Sequence, residues 1–206
     1  MPQKDKYHTY DELSTYEKEG DDYRIEVLAG DERSSELVII APHGGGIEPG
    51  TSQIAEKIAG KDFNLYRFEG MKPNCNFDTL HISSTRFNEP RCLELVEQAH
   101  TAVAVHGKAE KGRNVLVGGL DGELAESITT ELSNAGFAVD RVKSGPVSGT
   151  DEENICNRTA SGKGVQLEIH RQLRNELAES VPLMRDFVSS IRRVLSTHHE
   201  AISENL

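Results

Sequence analysis

Tryptophan is absent from the 206 residues, and aromatic side chains make up only 5%. Few ring platforms remain on which unpaired bases could stack, so a single-strand nucleic-acid binder is disfavoured. Positive charge is scarce as well: 23 Lys and Arg stand against 34 Asp and Glu, a formal net charge of -11. About half of that excess lies in residues 1–36, which carry 11 acidic and 5 basic side chains. A chain of this sign is a poor general ligand for DNA or for an anionic membrane, and no partnership with either is expected. Long hydrophobic runs are missing; nothing approaches the ~18 consecutive apolar residues of a membrane-spanning helix. The N-terminal stretch MPQKDKYHTYDELSTYEKEGDDY has no apolar core, so it does not read as a signal peptide. Synthesis in the cytoplasm is expected. The three cysteines, Cys75, Cys92 and Cys156, form no C-x-x-C pair and read as reduced thiols.

Several catalytic signatures are also missing. HGGG at His43–Gly46 is a sequence that opens oxyanion loops in serine esterases, but no G-x-S-x-G nucleophile elbow accompanies it. GGGIEPGTS lacks the Gly-Lys-Ser/Thr ending of a phosphate loop. No G-x-G-x-x-G follows a strand, and H-E-x-x-H does not occur.

What the chain does have is a regular alternation of strand and helix patterns. A polar helix is predicted over 8–19 and a strand over 22–30. A buried strand follows at 35–42, then a helix over 50–60 with Thr51 or Ser52 as N-cap and Gly60 as its stop. Strands are predicted at 63–70, 101–107, 113–119 and 137–143, with helices over 88–100 and 121–136. The segment GVQLEIHRQLR reads as a strand ending in charged residues, and 181–202 as a long terminal helix. The expectation is one α/β domain over 1–206: an open mixed, largely parallel sheet with helices on both faces. In such sheets sites gather at the C-terminal ends of strands.

Three strand ends therefore matter. The first strand of interest runs into VIIAPHGGGIEPG, where His43 and Glu48 are separated by glycines that leave room beside the backbone. His106 ends a second strand. Two His and one Glu with a fourth position open form a catalytic zinc set, and these three are the candidate ligands. In VQLEIH, Gln166, Glu168 and His170 share one strand face, opposite Val165, Leu167 and Ile169. Glu168 is a candidate general base; a salt bridge to Arg171 or Arg174 at a sheet edge explains it equally well. Arg86, Arg158 and Lys163 stand in polar loops where a cation could grip a carbonyl or a carboxylate.

The segments APHGGGIEPGTSQIA, YRFEG, LHISSTRFNEP, AVAVHG, VLVGGLD and VQLEIHRQLR occur in an order and detail that resemble the phage poly-γ-glutamate hydrolase family, also labelled phage-related replication protein. The resemblance covers nearly the whole chain. It implies a core like that of the zinc carboxypeptidases, one Zn2+ per chain, and cleavage of the γ-amide bonds of poly-γ-glutamate. His43, Glu48 and His106 would be the zinc ligands, Glu168 the general base, and Arg86 the carbonyl-polarising arginine. Arg158, Lys163 and Arg171 would meet substrate carboxylates, with Lys108, Lys111 and Arg113 as further candidates. Two departures from the carboxypeptidase pattern stand out: four residues, not two, separate His43 from Glu48, and Asn157-Arg158 follows His106 instead of preceding it. A related zinc amidohydrolase or deacylase is the alternative reading, and a nucleic-acid-binding replication factor a remote one. A monomer is expected, reaching extracellular polymer after lysis if the chain is phage-encoded.

Overall fold

The computed structural model describes residues 5–29 and 34–203. In chain order the elements are α1 (Tyr10–Tyr16), β1 (Tyr23–Leu28), β2 (Ser34–Gly45), α2 (Thr51–Ala59), β3 (Phe63–Gly70), α3 (Asn76–Leu80) and α4 (Pro90–Gln98). They continue with β4 (Thr101–Lys108), β5 (Val115–Gly118), α5 (Gly122–Asn134), β6 (Val139–Arg141), a 3-10 turn (Ile155–Asn157), β7 (Gly164–His170), α6 (Arg171–Glu179) and α7 (Val181–Ser203).

The seven strands form one sheet in the order β1-β3-β2-β4-β7-β5-β6. The central four, β3, β2, β4 and β7, are mutually parallel. β1 runs antiparallel along one edge, and β5 antiparallel to β7 on the other side, with β6 parallel to β5. This is the mixed, largely parallel sheet expected from the alternation of elements.

Alternating side chains of the central strands feed two hydrophobic clusters. Leu37, Ile39, Val103, Val105, Val165 and Leu167 pack against α2, α5, α6 and α7. Val38, Ile40, Ala102 and Ala104 face the opposite side, toward α1 and α4. A strand buried on both faces reads as a continuous apolar run, which is why LVIIA shows no alternation in sequence. Among the described residues no helix is long and apolar enough to cross a membrane.

Several boundaries differ from expectation for physical reasons. The first helix is only seven residues, started by Thr9, whose hydroxyl accepts from the Glu12 N–H. Gly30, included in the first predicted strand, lies outside the described residues. Thr51 and Ser52 are not N-caps; they sit inside α2, and Gly50 in the left-handed region precedes the helix. Helix α3 has no counterpart among the predicted elements, because five residues are too few to show a periodicity. Helix α6 reads in sequence only as charged residues, although Leu173, Arg174 and Leu177 are its buried stripe.

Candidate metal centre

The sequence pattern ends β2 before His43, but the strand continues through Gly45. Its register against β3 slips by one residue between Ala41 and Gly44. A bulge of this kind reverses the alternation of side chains. His43 thereby leaves the odd-numbered face of Leu37 and Ile39 and joins the face of Val38 and Ile40, with its ring edge-on to Phe87. Gly45 then turns at φ +59, in the left-handed region; a Cβ there would also stand 2.6 Å from the Gly70 carbonyl oxygen. The following turn is held by Glu48 N–H to the His43 carbonyl at 2.9 Å. Thr51 Oγ1 donates to the carbonyls of Glu48 at 2.8 Å and His43 at 3.3 Å. Thr51, expected as a helix cap, is thus a strut between the two ligand residues.

His106 lies on β4 with the parity of Ala102 and Ala104, so it points to the same face as His43. The two Nδ1 atoms are 3.1 Å apart. Glu48 Oε1 is 3.4 Å from His43 Nδ1, and its Oε2 is 3.8 Å from His106 Nδ1. Two nitrogens each about 2.0 Å from a tetrahedral ion stand about 3.3 Å apart, so the three donor atoms have the spacing of one zinc shell. All three side chains are buried.

Partners behind the ligands set their orientation. His43 Nε2–H donates to the Ile82 carbonyl at 2.8 Å, which leaves the Nδ1 lone pair facing the other donors. Ser84 Oγ is 3.4 Å from His106 Nε2. Gly107 N–H donates to Glu48 Oε2 at 2.7 Å. His81 lies against His43 with ring centroids 4.1 Å apart and the rings tilted by 38°, and is itself held by Asp5 at 2.7 Å.

The electrostatics suit a cation. Burial and the neighbouring His43 push His106 down to about 3, so its imidazole is in the neutral, ligating form. Burial would raise Glu48, but His43, His106 and the Gly107 N–H outweigh it and hold the carboxyl at about 2. Burial would lower His43; the Glu48 carboxylate overrides it and raises the ring above its ordinary value. That proton competes with a cation for the same lone pair, so metal affinity is expected to weaken as the pH is lowered.

Glu168 is the direct neighbour of His106 across the β4–β7 ladder. β7 is an interior strand and no edge, and among the described residues Glu168 forms no ion pair with Arg171 or Arg174; its Oε1 accepts from Gln166 Nε2 at 3.1 Å. Gln166 is fixed in turn by Asn154 Nδ2 donating to its Oε1 at 2.9 Å. Burial, then the Glu48 charge, raises the Glu168 carboxyl to about 8. A carboxyl whose pKa stands near neutrality is suited to accept and return a proton.

The remaining predicted residues separate into near and far. Arg171 opens α6 directly after β7, at the metal end of the sheet. Arg158 and Lys163 lie at the other end: Ser161, between them, donates to the His100 carbonyl, and Gly164 pairs with Ala102. Four residues of strand, roughly 13 Å, separate that register from His106. Arg158 is paired with Glu97 at 3.0 Å. Arg86 is engaged by Asp5 and by the His8 carbonyl at 3.1 Å, so polarising a substrate would require it to change partners.

Arg174 is a structural member of the centre that sequence reasoning treats only as a partner for Glu168. Almost fully buried, its guanidinium donates to the carbonyls of Pro49 at 2.8 Å, Lys108 at 3.2 Å and Ile169. It thus ties the Glu48 turn to the ends of β4 and β7. Arg174→Leu should leave buried carbonyls unsatisfied and cost about 3 kcal/mol in a denaturant titration. Zinc affinity, measured by competition with a chelator, should weaken about tenfold or more, as for other residues supporting a metal ligand.

A family model for poly-gamma-glutamate hydrolase matches residues 7–198. The chain belongs to the poly-gamma-glutamate hydrolase family. It is 38% identical over 181 residues to the SPbeta prophage-derived protein YoqZ of Bacillus subtilis (strain 168), which covers 87% of this chain and 64% of that relative. The chain thus spans just under two thirds of YoqZ. Among solved structures, a bacteriophage poly-gamma-glutamate hydrolase superposes with a TM-score of 0.89 at 31% identity, covering 96% of this chain and 100% of the other. The zinc-free apo form of YndL gives 0.85 at 30% identity, with 94% and 98% covered.

Proposed function

We propose that the chain is a zinc-dependent hydrolase that cleaves the γ-glutamyl amide bonds of poly-γ-glutamate, binding one Zn2+ per chain and working as a monomer. The observation that carries this reading is the convergence of the His43, Glu48 and His106 donor atoms beside Glu168, whose carboxyl is raised to about 8. The membership of the family, and a relative named in its zinc-free form, support it.

A zinc ion held by these three residues would supply Lewis acidity to the amide carbonyl and lower the pKa of an attacking water. Glu168, on the strand next to His106, takes the proton from that water and returns it to the departing nitrogen. Gln166 holds one carboxylate oxygen of Glu168 so that the other is free for this task. Ile82 and Ser84 keep the imidazoles in the orientation in which Nδ1 serves as donor. Arg171 stands where a substrate α-carboxylate could be met; Arg86 could reach a carbonyl only by leaving Asp5.

Elemental analysis of the purified protein should return about one zinc per chain. The viscosity of a poly-γ-glutamate solution should fall on adding the protein, hold when a chelator is present, and fall again when zinc is restored. Depolymerisation that persists in chelator would refute the metal role. One zinc per chain without depolymerisation would refute the substrate and turn attention to small N-acyl amino acids.

A further inference from the structure

Two cavities flank the Glu48 turn. The smaller, about 420 Å3, opens between that turn, the start of α3 and the start of α6, and is lined in part by Ile47, Phe77 and Arg171. All three segments follow the C-terminal ends of parallel strands, on the metal side of the sheet. The larger, about 1030 Å3, runs between α2, α6 and α7. Pro49, Arg174 and Asn175 line both, so the two cavities share a wall next to the Glu48 turn, the smaller at the metal end of the sheet and the larger on the face opposite His43 and His106.

Their composition is opposite to that of the chain. The protein carries 34 acidic residues, yet neither lining contains an Asp or a Glu. Six cations line them instead: Arg171 in the small cleft, Arg174 in both, and Lys57, Arg185, Arg192 and Arg193 in the long groove. Arg185, Arg192 and Arg193 have acidic neighbours in Asp186, Asp62 and Glu131. Lys57 and Arg171 have no ion pair among the described residues, and both are exposed. The groove floor between the cations is apolar, built from Leu177, Val181, Met184 and Val188.

We propose that the cleft and the groove form one anion track that leads a polyanionic chain from the α2–α6–α7 face around the strand ends to the metal centre. The proposal rests on the reading of the substrate as poly-γ-glutamate and deepens it. Each γ-linked unit places two methylenes in the polymer backbone and one free α-carboxylate beside it. The methylenes match the apolar floor, and the carboxylates match guanidinium and ammonium groups spaced along its rim. The two exposed, unpaired cations, Lys57 and Arg171, would give a chain of net charge -11 a local point of approach for a polymer of the same sign. None of the loop cations singled out by sequence, apart from Arg171, lies on it, because the track is assembled from helices α2, α6 and α7.

The test is binding of fluorescently labelled poly-γ-glutamate to the zinc-loaded Glu168→Gln protein, which separates binding from cleavage, at several salt concentrations. The double variant Lys57→Glu/Arg185→Glu should weaken binding about tenfold at low salt and flatten its salt dependence. Arg171→Glu should act in the same direction. Lys18→Glu/Lys143→Glu, the same charge change placed away from the cavities, should shift affinity less than about threefold, as expected of screened exposed charges. Equal weakening by the track and control variants would mean that only net charge matters, and would overturn the proposal. So would track variants that bind as the parent does. Zinc-dependent depolymerisation by the unmodified chain is measured separately; if it is intact while the track variants bind normally, the track fails and the proposed function stands.

Discussion

Glu168→Gln is expected to keep zinc bound and to lose about a thousandfold in turnover. The amide preserves the volume and the contact with Gln166, but it cannot accept a proton. A general base in the right place contributes about 10^2 to 10^4 in rate. The position of Glu168 beside His106, outside the ligand set itself, is what separates the two readouts: metal content reports the ligands, turnover reports the base. If the variant cleaved polymer nearly as well as the parent, Glu168 would be a structural residue and the base would have to be sought elsewhere. The same substitution has a second expected signature. In the metal-stripped chain the Glu168 carboxyl is raised to about 8, mainly by burial and then by Glu48, from its ordinary value of 4.5. A raised folded-state pKa means that folding opposes ionisation, so stability is full below the ordinary carboxylate range and is lost as pH rises from about 4.5 through about 8. The glutamine side chain of the variant has nothing to ionise. Thermal unfolding in chelator should therefore show the variant gaining on the parent across that same window, with a difference that grows with pH. A constant difference would show that the raised carboxyl is not the cause.

His106→Ala is expected to abolish stoichiometric zinc binding, with His43→Ala giving the same result. Each removes one of three protein donors that stand within 4.8 Å of one another, and two donors do not hold zinc against a chelator. Activity should disappear with the metal. The unmodified chain should gain thermal stability on adding zinc, because the ion binds the folded state and not the unfolded one, and this gain should be missing in the variants. The metal-free His106→Ala protein should be less stable than the metal-free parent, because a buried ring is lost. His106 is pushed down to about 3 by burial and by His43, so its neutral ring contributes packing rather than an ion pair. Full zinc occupancy in both variants would sink the ligand assignment, and with it the proposed function.

The candidate residues of the centre were legible in the sequence because metal ligands and bases must be particular residue types. A His and a Glu among glycines after an apolar run, a second His at a strand end, and a carboxylate on the polar face of a strand are all visible without coordinates. The α/β architecture was legible for a similar reason: strand and helix periodicities alternate along most of the chain. Helix α6 was not, because its buried stripe includes Arg174, and an arginine carries no apolar signal.

What sequence could not supply was which side chains share a face and a strand end. It placed His43 in a loop, whereas the residue is on β2 and faces His106 only because of a one-residue register slip. It gave Arg158 and Lys163 the same standing as Arg171, although strand direction puts the first two at the opposite end of the sheet. The Ile82 carbonyl that orients His43 has no side-chain signature at all. Residue identity determined the kind of chemistry open to this chain, since only certain groups can bind a metal or carry a proton. Tertiary structure decided which of those groups act together, since distance, parity and burial arise only when strands far apart in sequence pair.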